Sequence, residues 1–151
     1  MAEQQPGESQ RSRRVIIAGY GIPGRHVADH LAKAEIPFVV IERNPTIVLR
    51  CQTAGTRIIE GDSRDAQTLR DAGIDESTDI AITLPDDVAV LDTIATARRL
   101  KPSIRIIARA TYVSGGMEAT KRGADEIVVA EQIVAQEFAR LMGNDAPVKN
   151  D

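Results

Sequence analysis

The sequence predicts an α/β fold with a doubly wound, six-stranded parallel sheet and helices on both faces, and three observations carry that expectation. Short β-branched runs alternate along the chain with helix-length amphipathic stretches. The runs show little polar alternation, as strands buried on both faces do, and strands joined by helices must lie parallel. A glycine-rich segment, Gly19-x-Gly21-x-x-Gly24, follows the first run directly and opens the first helical stretch.

Six strands are expected from Val15 to Ala18, Phe38 to Ile41, Arg57 to Ile59, Ile80 to Thr83, Ile104 to Ala108 and Glu126 to Val129. The first helix is expected from Pro23 to Lys33, with Val27, Ala28 and Leu31 on one face. Others follow from Thr46 to Ala54, from Asp65 to Ala72 closed by Gly73, and from Asp87 to Leu100 stopped by Lys101-Pro102. Gly116 to Arg122, closed by Gly123, and a last helix from about Glu131 to Met142, ended by Gly143, complete the pattern.

A chain of 151 residues suits one domain, expected over residues 14–143, and leaves no room for a separate catalytic domain. Residues 1–13 are polar and read as a disordered tail or linker, and residues 144–151 as a frayed tail. Apolar residues make up 42% and charged residues 27%, ordinary values for a globular protein, and the longest apolar runs are strand-sized. No stretch is expected to span a membrane, and the opening residues lack the apolar segment of a signal peptide. The single Cys51 has no partner for a disulfide or a metal site, which fits a reducing cytosol. A net charge of −3 argues against nucleic acid as a partner, and the one basic cluster, Arg11, Arg13 and Arg14, reads as a solvated tail.

In the segment Gly19-Tyr20-Gly21-Ile22-Pro23-Gly24 each glycine has a physical task. Gly19 makes the tight turn, Gly21 lets phosphate approach the backbone, and Gly24 lets the helix pack closely. Free first-turn N–H groups and the helix dipole then form an anion site, and Pro23 is tolerated there because those amides lack intrahelical partners. Glu42 ends the second strand about twenty residues on, where a carboxylate can accept hydrogen bonds from both ribose hydroxyls. It also repels a 2′-phosphate, so NAD or an adenine mononucleotide is preferred over NADP, with Arg43 either offsetting that repulsion or remaining a surface charge. The pattern predicts the nucleotide-binding turn of a Rossmann domain, the alternative being glycines that merely form a tight strand-to-helix turn.

Other candidates cluster at the carboxyl ends of strands, where open α/β sheets bind ligands. Asp62 and Ser63 can reach adenine or its ribose, or form a helix N-cap pair, and both readings stay open. Thr83 ends the fourth strand, and Asp86 and Asp87 read as caps of the next helix in preference to an acid–base pair. Arg109, at the fifth strand's end, reads either as a phosphate-side cation or as half of an ion pair. No catalytic set is evident. His26 and His30 stand four apart but lack a third ligand in sequence, so exposed helix histidines are the preferred reading. Cys51 has no accompanying base and reads as a small buried hydrophobe.

With these residues in view, the chain resembles the N-lobe of the RCK family, also called KTN or TrkA-N domains, over residues 14–142. The likeness rests on Gly19-x-Gly21-x-x-Gly24-x-x-x-Ala28-x-x-Leu31, Val40-Ile41-Glu42-Arg43-Asn44-Pro45, Gly61-Asp62-Ser63, Ala72-Gly73-Ile74 and Arg122-Gly123-Ala124-Asp125-Glu126-Ile127-Val128. The tail Val129-Ala130-Glu131 and the following amphipathic helix are most similar to the cytosolic C-terminal domain of glutathione-gated-type potassium/proton antiporters. The resemblance implies a cytoplasmic regulatory domain that binds NAD(H), AMP, ADP or ATP, dimerises, and gates a membrane-embedded potassium transporter or channel in the same chain or as a separate subunit. It places phosphate at Gly19 through Gly24, ribose at Glu42 and adenine at Asp62-Ser63. Ile22-Pro23 stands where many members carry a basic or small residue followed by Val or Ile, and the companion C-lobe of channel-type members is not expected.

The residues alone also leave room for the cofactor-binding fragment of an NAD-dependent oxidoreductase, or for a nucleotide sensor unrelated to ion transport. A symmetric homodimer is expected, with Ile133, Val134, Phe138, Leu141 and Met142 supplying part of its interface unless that stripe packs on its own sheet. Glu42 is expected at an exposed strand end, where its loss hardly alters the stability of the ligand-free fold.

Overall fold

The computed structural model describes residues 12–144, with Asn144 described in its backbone alone; residues 1–11 and 145–151, which include most of the two expected tails and Arg11, lie outside the described residues. Six strands form one sheet: β1 (Val15–Ala18), β2 (Phe38–Glu42), β3 (Ile58–Glu60), β4 (Asp79–Ile82), β5 (Arg105–Ala110) and β6 (Glu126–Val129). Their order is β3-β2-β1-β4-β5-β6 and every pairing is parallel. The chain winds outward from β1 to β3, returns, and winds outward again from β4 to β6. A crevice therefore opens at the carboxyl ends of β1 and β4, where the winding reverses.

The helices are α1 (Ile22–Lys33), α2 (Pro45–Thr53), α3 (Ala66–Asp71), α4 (Asp87–Leu100), α5 (Val113–Arg122) and α6 (Ala130–Asn144). Side chains alternate across the strands, and each face buries its own set. Ile16, Ile41, Ile80, Ile82 and Ile106 pack with Leu69 of α3, with Val90 and Ile94 of α4 and with Ala119 of α5. Val15, Ile17 and Val40 pack on the other face against Ala28 and Leu31 of α1. Full burial of each large aliphatic side chain contributes about 1.5–3 kcal/mol, so these two layers supply most of the driving force for folding.

Most element boundaries lie within one or two residues of expectation, and the larger differences have local causes. Asp65 is the N-cap of α3 and accepts from the Gln67 amide, so the helix proper starts one residue later than expected. Helix α5 starts at Val113, three residues before the expected Gly116, and includes both Gly115 and Gly116. A Cβ at Gly116 would lie 3.1 Å from Ile127 and 3.4 Å from Val129, so this glycine lets the helix sit close on β6. A short 3-10 turn, Ile74–Glu76, follows Gly73 and was not expected. Gly143 does not end α6, which runs to Asn144; Gly143 is not among the glycines that adopt the positive φ of a left-handed cap.

Arg13, expected in the tail, donates to Asp79 at 2.9 Å, and Arg105 reaches the same carboxylate at 3.3 Å. The solvated-tail reading fails for this residue because Asp79 is 6% exposed at the amino edge of β4 and needs cationic partners. Helix α6 is exposed from Glu131 to Gly143. Its apolar stripe does not pack on its own sheet: Ile133 is 53%, Phe138 67% and Met142 73% exposed. Among the described residues no helix is long and apolar enough to cross a membrane.

Candidate functional site

The glycine segment lies at the β1–β4 crevice. Gly19 takes φ +101°, a left-handed conformation that favours glycine, and its amide donates to the Ile41 carbonyl at 2.9 Å. A Cβ at Gly24 would stand 2.0 Å from the Gly19 carbonyl oxygen, so only glycine lets α1 pack this close to the turn. Gly21 differs: nothing lies within 4 Å of a Cβ placed there, and the residue is exposed as the N-cap of α1. Backbone is thus open to an incoming anion at Gly21, with the positive end of α1 behind it. Ile22 is 76% exposed and Pro23 is exposed in the first turn, where its missing N–H costs the helix nothing.

Tyr20 contributes its backbone to this arrangement. Its amide donates to Glu42 Oε2 at 2.9 Å, whereas its ring borders a depression between α1 and α2 with Arg25, Asp29 and Cys51. The Arg25 guanidinium stands 5.6 Å from the ring centroid. Thr83 falls just beyond β4, and its hydroxyl donates to the carbonyls of Ala18 and Gly19, both at 3.1 Å. It supports the turn from beneath instead of facing outward.

Glu42 is half-buried and already engaged. Besides the Tyr20 amide on Oε2, its Oε1 accepts from the amides of Arg43 and Asn44, each at 3.1 Å. A carboxylate offers about four acceptor sites, so this geometry leaves about one, on Oε2. Sequence reasoning expected an exposed acid free to accept both ribose hydroxyls. The three amides change that because β2 turns sharply after Glu42 and its orphaned N–H groups need an acceptor.

Beside Glu42 opens a cleft of about 170 Å³, lined by Ile41, Glu42, Arg43, Gly61, Asp62, Ser63, Arg64, Leu84, Asp86 and Ala89. Whole-ligand pockets run about 300–1,000 Å³, so this cleft suits one moiety, such as a base with part of its sugar, and the remainder would lie over the open edge toward Gly21. Asp62 holds Arg64 in a fork, with the shortest contact 2.7 Å, and stands 3.6 Å from Arg43. The hydrogen bond from Arg64 keeps the Asp62 carboxyl below its ordinary range. Ser63 borders the cleft, but its hydroxyl is shared with Thr93 at 2.9 Å in a site 3% exposed. Neither residue caps α3, a task that falls to Asp65.

Arg109 is not brought to this cleft. Its guanidinium donates to the Pro85 carbonyl at 3.2 Å, a backbone oxygen and not an acid. Asp86 caps α4 through the Val88 amide, as expected. Asp87 does something else: it accepts from the Thr111 amide and hydroxyl in the loop after β5. Arg64 was not singled out in sequence, since one arginine after a polar pair carries no periodic or motif signal. Leu84 and Ala89, its apolar companions, are legible only once the β4–α4 loop is folded over the cleft.

His26 and His30 are exposed on α1, and among the described residues no group of three metal-ligating side chains is found. Cys51 is 4% exposed, and burial pushes its thiol above the ordinary value, which disfavours the reactive thiolate.

The sheet order, the glycine turn at the winding reversal and the strand-end acid define a Rossmann-type domain with a dinucleotide-fold glycine turn. The chain belongs to the TrkA-N domain family, which it matches over residues 15–130. It is 30% identical over 127 residues to the putative cation/proton antiporter YbaL of Escherichia coli K12, covering 84% of this chain and 23% of that protein. It is 28% identical over 131 residues to potassium channel protein 1 of Methanocaldococcus jannaschii, covering 85% of this chain and 39% of that protein. The chain therefore spans well under half the length of these relatives. Its fold is similar to the TrkA-N domain crystal structure of Escherichia coli inner membrane protein YbaL, with TM-score 0.82, 29% identity, and coverage of 87% of this chain and 97% of that one. It is also similar to the GsuK channel bound to NAD, with TM-score 0.77, 30% identity, and coverage of 87% of this chain and 23% of that one. GsuK bound to ADP gives TM-score 0.80 at 28% identity, covering 92% of this chain and 36% of that one.

Proposed function

We propose that this chain is a regulatory domain that senses NAD(H) or an adenine nucleotide and gates a potassium transporter or channel, carried in the same polypeptide or as a separate cytoplasmic subunit at the inner face of the plasma membrane. One observation carries the reading: Gly21 is open to an anion while the neighbouring Tyr20 amide holds Glu42 in place, beside a cleft lined by the Asp62–Arg64 pair. GsuK, similar over most of this chain, binds NAD and ADP, which supports the same ligand class here. Phosphate sits on the turn, one ribose hydroxyl on Glu42 Oε2, and the base in the cleft.

A sensing role without turnover is supported by how the edge acids are used. Asp62 is forked to Arg64, Asp86 caps α4 and Asp87 binds Thr111, so each is held in a structural bond. The exposed stripe on α6 supports a homodimer, since five large apolar side chains between 46% and 73% exposed are unusual for an isolated surface helix.

Titration calorimetry with NAD⁺, NADH, AMP, ADP and ATP tests the reading. Binding of at least one of them, weakened by Glu42→Ala, is expected. Absence of heat and of thermal stabilisation with all five would remove the sensing role.

A further inference from the structure

The glycine turn and the exposed helix α6 are linked by hydrogen bonds at Thr83, Asp87 and Thr111, with the backbone of the β4–α4 loop joining Thr83 to Asp87. Thr83 Oγ1 bonds the carbonyls of Ala18 and Gly19, and a Cβ at Gly19 would stand 3.2 Å from Leu84, so the β4–α4 loop sits on the turn without slack. Four residues after Thr83, the Asp87 carboxylate accepts from the Thr111 amide at 3.2 Å and its hydroxyl at 3.0 Å. It lies over the start of α5, whose N-cap Tyr112 makes no side-chain cap bond, and a Cβ at Gly115 would come within 3.1 Å of Asp87 Oδ2. The Thr111 carbonyl in turn accepts from the Glu131 amide at 3.2 Å, in the first turn of α6. Arg109, near the end of β5, donates to Pro85 and ties that strand to the β4–α4 loop.

We infer that Asp87 is a positioning residue that passes occupancy of the glycine turn to α6, setting how firmly the first turn of that helix is held. The inference rests on the nucleotide-sensing reading above and gives it a route. Asp87 itself touches no ligand. An anion drawn onto Gly21 pulls on the turn, Thr83 carries that pull into the β4–α4 loop, and the charge-assisted bond from Asp87 transfers it to Thr111. The Thr111 carbonyl then moves relative to the Glu131 amide, and α6, which is otherwise exposed, responds at its base.

Amide hydrogen exchange at Glu131, followed by NMR in the full chain with and without saturating NAD⁺ and with and without saturating AMP, tests this beside calorimetry on the same samples. In the wild type, the binding nucleotide should change exchange at Glu131 by roughly three- to tenfold, as expected for one net hydrogen bond made or lost. Asp87→Ala should bind with unchanged Kd and lose that response; Thr111→Val, which keeps the backbone and removes only the hydroxyl, should weaken it and serves if Asp87→Ala folds poorly. Wild-type binding with unchanged Glu131 exchange, or a full response in both variants, overturns the inference alone. A weakened Kd in Asp87→Ala also overturns it, by making Asp87 a ligand contact. No binding by the wild type removes the sensing reading and this inference together.

Discussion

The Glu42 carboxylate accepts the Tyr20 amide at 2.9 Å across 22 positions of sequence, so the acid at the end of β2 is part of the glycine turn as well as a candidate ribose ligand. The bond fixes the direction of Oε2 and presents one acceptor beside the open backbone at Gly21. Substitution at this position therefore acts on the fold and, under the proposed ribose role, on the ligand as well.

Glu42→Ala should lower stability without ligand by about 1–3 kcal/mol, because the half-buried Tyr20 amide loses its acceptor. For a chain of this size that corresponds to roughly 2–4 °C per kcal/mol in Tm. The same substitution should reduce the nucleotide-dependent rise in Tm, and Glu42→Gln, which keeps an acceptor oxygen, should recover part of the ligand-free stability. A ligand-free melting curve for Glu42→Ala that overlays the wild type would show that water replaces the carboxylate at no cost.

Gly21 and Gly24 belong to one motif but should respond oppositely. With nothing near a Cβ at Gly21 and no positive φ there, Gly21→Ala should leave Tm within about 1 °C, a surface-scale effect, while crowding the path of phosphate. Gly24→Ala would place a methyl 2.0 Å from the Gly19 oxygen and should cost several kcal/mol or prevent folding. Melting curves and calorimetry on the two variants separate the open glycine from the packing one; equal losses of stability would contradict the geometry.

The parallel sheet was legible because buried strands and amphipathic helices differ in period, and the motif positions were legible because glycine, proline and acid spacings are local. What sequence could not show was where side chains bond once distant loops meet. Thr83 and Ser63 stood at strand ends as expected, but their hydroxyls turned inward to Gly19 and Thr93. Asp87 looked like a cap beside Asp86, yet a partner 24 positions away claims it. Arg13 looked like tail until Asp79, itself inconspicuous within a strand, supplied a buried charge for it. Each of these depends on long-range geometry that no window of sequence contains.

Asp79 gives the pH prediction. Burial raises its carboxyl, but hydrogen bonds from Thr78, Arg13 and Arg105 outweigh that and leave it below the ordinary value. A carboxyl depressed in the folded state contributes stability that is fully present above its unfolded pKa of about 3.9 and is lost as pH falls through the folded value. Asp79→Asn should therefore be less stable than wild type at pH 7, by about 1–3 kcal/mol, with the two Tm curves converging below about pH 4. Parallel curves down to pH 3 would mean that the Arg13 and Arg105 pairs contribute nothing beyond packing.

The exposed stripe of α6 leads to the last prediction. Phe138 is 67% exposed and Met142 73%, and neighbouring Ile133, Val134 and Leu141 lie between 46% and 53%, so the helix offers an apolar face without burying it in its own domain. In a symmetric dimer the same face meets its copy, and a central aromatic dominates such contacts, with truncation commonly costing about 2 kcal/mol or more. Phe138→Glu should therefore raise the dimer dissociation constant by roughly thirtyfold or more, since each 1.4 kcal/mol is about a factor of ten. Because Phe138 is not packed in the described fold, the variant monomer should keep the circular dichroism spectrum of the wild type. Wild-type Tm should rise with protein concentration, as it does whenever association stabilises the folded state, and the variant should lose that dependence. Light scattering that returns a monomer for the wild type at high concentration, together with a concentration-independent Tm, would leave α6 without a partner in a second copy and would remove the dimer from the proposed function.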